Sequence, residues 1–143
     1  MVIDLIGPIS LKEFTNTRKT RKAWILIGSC CYSRAIVGYL VESLSPESFL
    51  MSWNTHTAQR GMCAHLFCDC GSNFTSNLAR EFFAKYAGNI QSRLAIKKTQ
   101  LHIGAGNSPH QQGSCERLNS TFKDSLHVAV GKRVVSVRSN LIY

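Results

Sequence analysis

Three short apolar runs without helical period open this chain before any helical pattern appears. Val2–Ile6 is the first, broken by a single acid and followed by Gly7-Pro8. Trp24–Cys31 and Ala35–Val41 are the second and third, joined by a tight turn at Tyr32-Ser33-Arg34. Runs of this length, bounded by turn residues, predict buried strands, and the short link between the last two predicts an antiparallel hairpin. The polar, basic stretch between the first two, Ser10 to Lys22, reads as a loop.

Helical and strand segments then alternate. Ser45-Pro46-Glu47 starts a helix: the serine can cap free N–H groups, proline suits the first turn, and the acid faces the positive helix end. Phe49, Leu50, Trp53 and Thr57 recur on one face, and Gly61 closes the segment. A fourth strand, 64–68, ends at Asp69, with Gly71 and Asn73 supplying the turn beyond. Thr75 or Ser76 caps a second helix carrying Leu78, Phe82 and Tyr86, which Gly88-Asn89 is expected to stop. Residues 100–103 form a fifth, weaker strand, and Gly104 to Gly113 a loop. A third helix is expected from about Ser114, with Leu118, Phe122, Leu126 and Ala129 as its core stripe. This order predicts an α/β domain: a mixed five-stranded sheet, three antiparallel strands and then alternating helices and strands, with helices on both faces. Residues 1–130 are read as one domain, and 131–143 as a tail with weak strand character and no readable role.

At 143 residues, 44% hydrophobic and 17% charged, the chain has the material for one packed domain. No apolar run approaches the roughly 18 residues of a membrane span, and the start of the sequence does not read as a signal peptide. Six cysteines are present. Most lie in strand-like runs and read as buried thiols of an intracellular protein. Cys68 and Cys70 flank Asp69 too closely for the usual zinc pair, so no zinc site is assigned. The net charge of +9 is concentrated in three stretches, around Lys12–Lys22, Arg80–Lys98 and Arg117–Arg138. Clustered cations favour a polyanionic partner, although a solvated basic surface would look the same.

Acids are scarce: three aspartates and five glutamates. Asp4 lies inside an apolar strand and Asp69 at a strand end, places where a carboxylate is costly unless a cation or strong hydrogen bonds compensate it. Oxygen donors without a lysine or arginine close in sequence suit a hard metal ion. Each acid also has a plain reading. Asp4 could point to solvent, Asp69 could accept turn N–H groups, and Glu116 could serve the dipole of the last helix. Asn119 and Lys123 fall near Glu116 on the helical wheel, at the flank of the apolar stripe.

Four segments resemble one family. Val-Ile-Asp-Leu-Ile-Gly-Pro-Ile at 2–9 resembles the first-strand motif of integrase cores from LTR retrotransposons and retroviruses, members of the ribonuclease H-like superfamily. Tyr-Ser-Arg-Ala-Ile at 32–36 looks like the family's hairpin between its second and third strands. Cys-Asp-Cys-Gly-Ser-Asn-Phe at 68–74 is similar to its Ser-Asp-Asn-Gly-x-x-Phe motif. Residues 108–123 resemble the motif carrying its glutamate, with Glu116, Asn119 and Lys123 on the family's Glu, Asn and Lys positions. Cys70 departs from the usual asparagine. The 46 residues from 70 to 115 make a gap wider than in many retroviral relatives and closer to the Bel/Pao type. The family's histidine-cysteine zinc module and C-terminal DNA-binding module have no counterpart here, so a core without its flanks is expected.

The resemblance implies a ribonuclease H-like fold and DNA integration activity: 3′-end processing followed by strand transfer. It implies two Mg²⁺ or Mn²⁺ ions about 3.5–4 Å apart, held by Asp4, Asp69 and Glu116 as catalytic and metal-binding residues, with Asn119 and Lys123 at the DNA. The implied partners are element ends and target DNA, without a membrane. A complete integrase of this type acts in the nucleus as a homo-oligomer. His102 and His110 read as surface or hydrogen-bonding histidines. Two other functions are compatible with the fold: an inactive or domesticated nucleic-acid-binding module, and a ribonuclease H-type nuclease.

Overall fold

The computed structural model describes residues 1–12, 19–68, 77–103, 109–130 and 141–142. Its elements are β1 (Val2–Lys12), β2 (Thr20–Ser29), β3 (Ile36–Val41), α1 (Pro46–Arg60), β4 (His65–Cys68), α2 (Asn77–Ile96), β5 (Gln100–Ile103), α3 (Pro109–Val130) and β6 (Leu141–Ile142). They build one mixed sheet in the order β5-β4-β1-β2-β3-β6. β1, β2 and β3 pair antiparallel, whereas β4 joins β1, and β5 joins β4, in parallel. The five strands expected from the sequence are all present, and the two-residue β6 adds a sixth on the free edge of β3.

Strand alternation divides β1 between two layers. Ile3 and Leu5 point to one face and join Phe49 and Trp53 of α1 and Phe82, Phe83, Ile90 and Leu94 of α2 in the main core. Asp4 points to the other face, where it meets Lys123 of α3. Phe122 of α3 lies on that same face, so close to the sheet that a Cβ on Gly38 of β3 would stand 3.3 Å from its ring. The helices therefore cover both faces: α1 and α2 on one, α3 on the other.

Four element boundaries differ from the sequence reading, each for an identifiable reason. β1 and β2 continue through Ser10–Lys12 and Thr20–Lys22, which were expected to be loop. Leu11 turns inward there against Ala23 and Leu40, while Ser10, Lys12, Thr20, Arg21 and Lys22, the polar residues that suggested a loop, stay exposed. A register shift between Ile6 and Ile9 accommodates Gly7 at φ 143°, where a Cβ would fall 2.7 Å from the Trp24 ring. Helix α2 runs through Gly88-Asn89 to Ile96. A mid-helix glycine costs about 1 kcal/mol, whereas Ile90 and Leu94, both fully buried beyond it, contribute roughly 1.5–3 kcal/mol each. Finally, α3 starts at Pro109, several residues before Ser114; proline is well tolerated in a first turn and Gly113 does not interrupt it. At the start of α1, Ser45 caps as expected, its Oγ accepting from the Ser48 N–H at 3.2 Å, and Gly61 at φ 88° ends the helix.

Candidate active site on the face of the first strand

Asp4 occupies the second strand-face position of β1, directly across from Ile27 of β2. Its side chain is wholly inaccessible to solvent, which eliminates the solvent-pointing alternative. Oδ1 accepts from the Leu5 N–H at 2.7 Å, and Oδ2 is ion-paired with the Lys123 ammonium. A carboxylate cannot be held ionised in such a place without compensation. The compensating cation comes from 119 residues away in the chain, which is why no basic neighbour was visible in the local sequence.

The expected ligand Asp69 lies outside the described residues. The strand leading to it can be followed to its last residue: Cys68 pairs with Ile3, and Phe67 with Val2, in parallel register. The two acids are thus the next residues in sequence after one paired position of adjacent strands. Glu116 stands in the second turn of α3; its side chain lies outside the description. Its neighbour Cys115 is buried, and the Cys115 carbonyl accepts from Ser29 Oγ at 3.3 Å. Ser29 pairs with Val2 across the β1–β2 ladder. This contact docks the Glu116 turn on the end of the sheet where Val2 and Asp4 lie. Burial, together with a hydrogen-bonding contact from Cys31, pushes the Cys115 thiol up, so it remains protonated near neutral pH.

One helical turn beyond Glu116, Asn119 is completely buried, and neither atom of its amide has a hydrogen-bond partner among the described residues. Lys123 follows one further turn along, its side chain 23% exposed. The inward face of α3 therefore runs Cys115, Asn119, Phe122, Lys123. The expected stripe of Leu118, Phe122, Leu126 and Ala129 is corrected: Leu118 and Leu126 are only half-buried and Ala129 is exposed. Sequence reasoning missed Ser29 and Cys115 as docking residues. The signal available was the spacing of Cys115, Asn119 and Phe122 at i, i+4 and i+7, which a rule that places amides outside the core passes over.

Among the described residues no group of three or more metal-ligating side chains comes together. The described part still fits a hard cation. A buried carboxylate already holds a positive charge, in the form of the Lys123 ammonium, and the Asn119 amide, buried one helical turn from Lys123, has hydrogen-bonding capacity unmet among the described residues. No helix among the described residues is long and apolar enough to cross a membrane.

No protein-family model matches the sequence, and no curated protein matches it. Solved structures do. The BIV integrase catalytic core domain superposes with a TM-score of 0.58 at 16% identity, over 94% of this chain and 74% of that one. A chain of the simian T-cell lymphotropic virus intasome, solved in complex with PP2A regulatory subunit B56 gamma, gives 0.55 at 14% identity, over 90% of this chain; this chain spans 40% of its length. The HTLV-2 integrase catalytic core domain, solved in complex with magnesium in a trimeric form, overlays less closely, at 0.45 and 15% identity over 90% of this chain and 70% of that one. The likeness is one of fold: this chain folds as the BIV integrase catalytic core domain does.

Proposed function

We propose that this chain is the catalytic core of a DNA integrase, and that Asp4, Asp69 and Glu116 form its reaction centre. The observation that carries the reading is Asp4: a carboxylate fully buried on the central strand of an integrase-core fold, holding a cationic group. The pairing of Ile3 with Cys68, one residue before each aspartate, and the docking of the Glu116 turn on Ser29 support the grouping.

The three carboxylates would bind Mg²⁺ or Mn²⁺, as a pair of ions, which when bound polarise the phosphodiester and lower the pKa of an attacking water or 3′-hydroxyl. The chain's own residues do the rest. Asp4, fixed by the Leu5 N–H and by its place in the sheet, is a preorganised anionic anchor. Lys123 neutralises it until DNA arrives and then re-pairs its ammonium with a phosphate oxygen. Asn119, buried as it is, is better placed to orient a neighbouring side chain than to touch DNA. In the displacement an oxygen–phosphorus bond forms to water or to a 3′-hydroxyl, which gives its proton to solvent, and the bond from phosphorus to the leaving 3′-oxygen breaks, that oxygen taking a proton from solvent. The products are a recessed DNA end and then a strand joined to target DNA. The wide spacing after Asp69 supports assignment to a Bel/Pao-like retrotransposon. Residues 1–130 carry the catalytic core, the tail that follows adds β6 at the sheet edge, and the complete protein acts in the nucleus as a homo-oligomer.

The test is strand transfer with labelled DNA ends in Mg²⁺. Asp4→Asn, Asp69→Asn and Glu116→Gln should each abolish joining while leaving the circular dichroism of the domain intact. Full activity in any one of them refutes the assignment. One observation favours a second reading, a DNA-binding module of the same fold without catalysis: Lys123 already satisfies Asp4. Titration with Mn²⁺ separates the two, because that module takes up no ion that depends on Asp69.

A further inference from the structure

The parallel register of β4 and β5 sets His65 opposite Gln100 and Phe67 opposite His102, so the two histidines are diagonal neighbours on one face of the sheet. It is the face opposite Leu66, which enters the main core, and therefore the one that carries α3. The His65 Nδ1 and His102 Nε2 atoms are 3.1 Å apart. His102 stacks on the Phe67 ring, centroids 4.7 Å apart and planes 15° from parallel, which holds one imidazole in place. His65 is exposed and free to adjust about χ2.

We propose that His65 and His102 form a site for a single borderline transition-metal ion of the Zn²⁺, Ni²⁺ or Cu²⁺ class, separate from the carboxylate centre. Two imidazole nitrogens bound at about 2.0–2.1 Å and separated as these are subtend about 98° at the metal, between square-planar and tetrahedral geometry. With His102 held by its stack, rotation of the exposed His65 ring is the adjustment that brings its Nδ1 lone pair to a point shared with His102 Nε2. The ion takes the place of the proton shared between the rings, and the donor ring moves that proton to its other nitrogen. Burial by its neighbours and the closeness of His65 keep the His102 pKa low, which leaves its lone pair available. The protein supplies two ligands and water completes the shell, consistent with the absence of any larger ligand cluster among the described residues. Imidazole nitrogen selects this class of metal over Mg²⁺, which the oxygen-donor centre prefers.

Calorimetric titration of the chain with Ni²⁺, in excess Mg²⁺, tests the site. One equivalent should bind the unaltered protein, and His65→Gln and His102→Gln should each weaken uptake by at least about tenfold, as the loss of a ligand requires. In the unaltered protein, substoichiometric Ni²⁺ should broaden the ring proton resonances of these two histidines ahead of those of His56 and His127. Absence of Ni²⁺ uptake, or uptake that persists undiminished in both variants, overturns the proposal. So does broadening that spares both rings.

Discussion

Replacing Lys123 with methionine removes the ammonium from the Asp4 carboxylate while keeping most of the side-chain volume against the sheet. Asp4 is fully buried and Lys123 less than a quarter exposed, so solvent screens the pair weakly. Truncating one partner of such a pair costs about 3–5 kcal/mol when both are enclosed. The partial exposure of Lys123 puts the expected loss near about 3 kcal/mol, which for a domain of this size lowers the melting temperature by roughly 6–12 °C. The comparison that matters is between metal-free buffer and saturating Mg²⁺. In the unaltered protein a cation bound at Asp4 must first displace the ammonium; in Lys123→Met nothing has to leave. Mg²⁺ should therefore raise the stability of the variant more than that of the parent, and the defect should shrink as the ion is added. Urea denaturation with and without Mg²⁺ measures both quantities. The Asp4→Asn, Lys123→Met double variant should lose less than the sum of the single variants, by about 2 kcal/mol. A loss below about 1 kcal/mol without metal, or identical Mg²⁺ shifts in the two proteins, would refute the view that Lys123 holds the cation position at Asp4.

Two further outcomes follow from the packing. His56 is buried, stacks on Trp53 with centroids 5.0 Å apart, and bonds the Tyr39 hydroxyl through Nδ1 at 3.2 Å. Burial, with the Arg60 charge adding to it, holds its pKa below the ordinary histidine value. The unfolded chain then binds the proton first, so stability should fall as pH drops below about 6.5. His56→Gln should flatten the slope of stability between pH 7 and 5 in denaturation midpoints. Gly38→Val should drive a methyl into the Phe122 ring and destabilise the domain by about 1–3 kcal/mol. A midpoint unchanged by this substitution would show that α3 does not sit against β3 as described.

Most of the scaffold was legible because its signals are local. The succession of elements along the chain, the Ser45 cap and the place of Asp4 on the first strand all follow from residues within a turn or two of one another. What was not legible depends on partners remote in the chain. Nothing near Gly88 announces that Ile90 and Leu94 will be buried against the sheet, yet their burial carries α2 through it. Nothing near Leu11 shows that Ala23 and Leu40 wait to receive it. On α3 the failure has a different origin. A polar amide and a lysine face inward at Asn119 and Lys123, against the pattern that burial favours, and such a breach of local consistency is expected where a site replaces packing. Asp69 and Glu116, proposed as partners of Asp4, were read from motif resemblance and, for Asp69, from its place after a strand; Asp69 lies outside the described residues and Glu116 is described by its backbone.

The place of β1 between β2 and β4 has a consequence for biosynthesis. One side of this strand closes early, through a hairpin partner that follows within a few residues, while the other stays open until Cys68 has been made. A parallel partner so distant in the chain forms slowly. During that interval the open side of β1 offers an apolar ladder of unpaired amides to any other nascent chain, the kind of edge on which aggregation starts. Shortening the β4 delay, or shielding that edge with a chaperone, is thus the lever on soluble yield, and it acts without touching a residue of the chemistry.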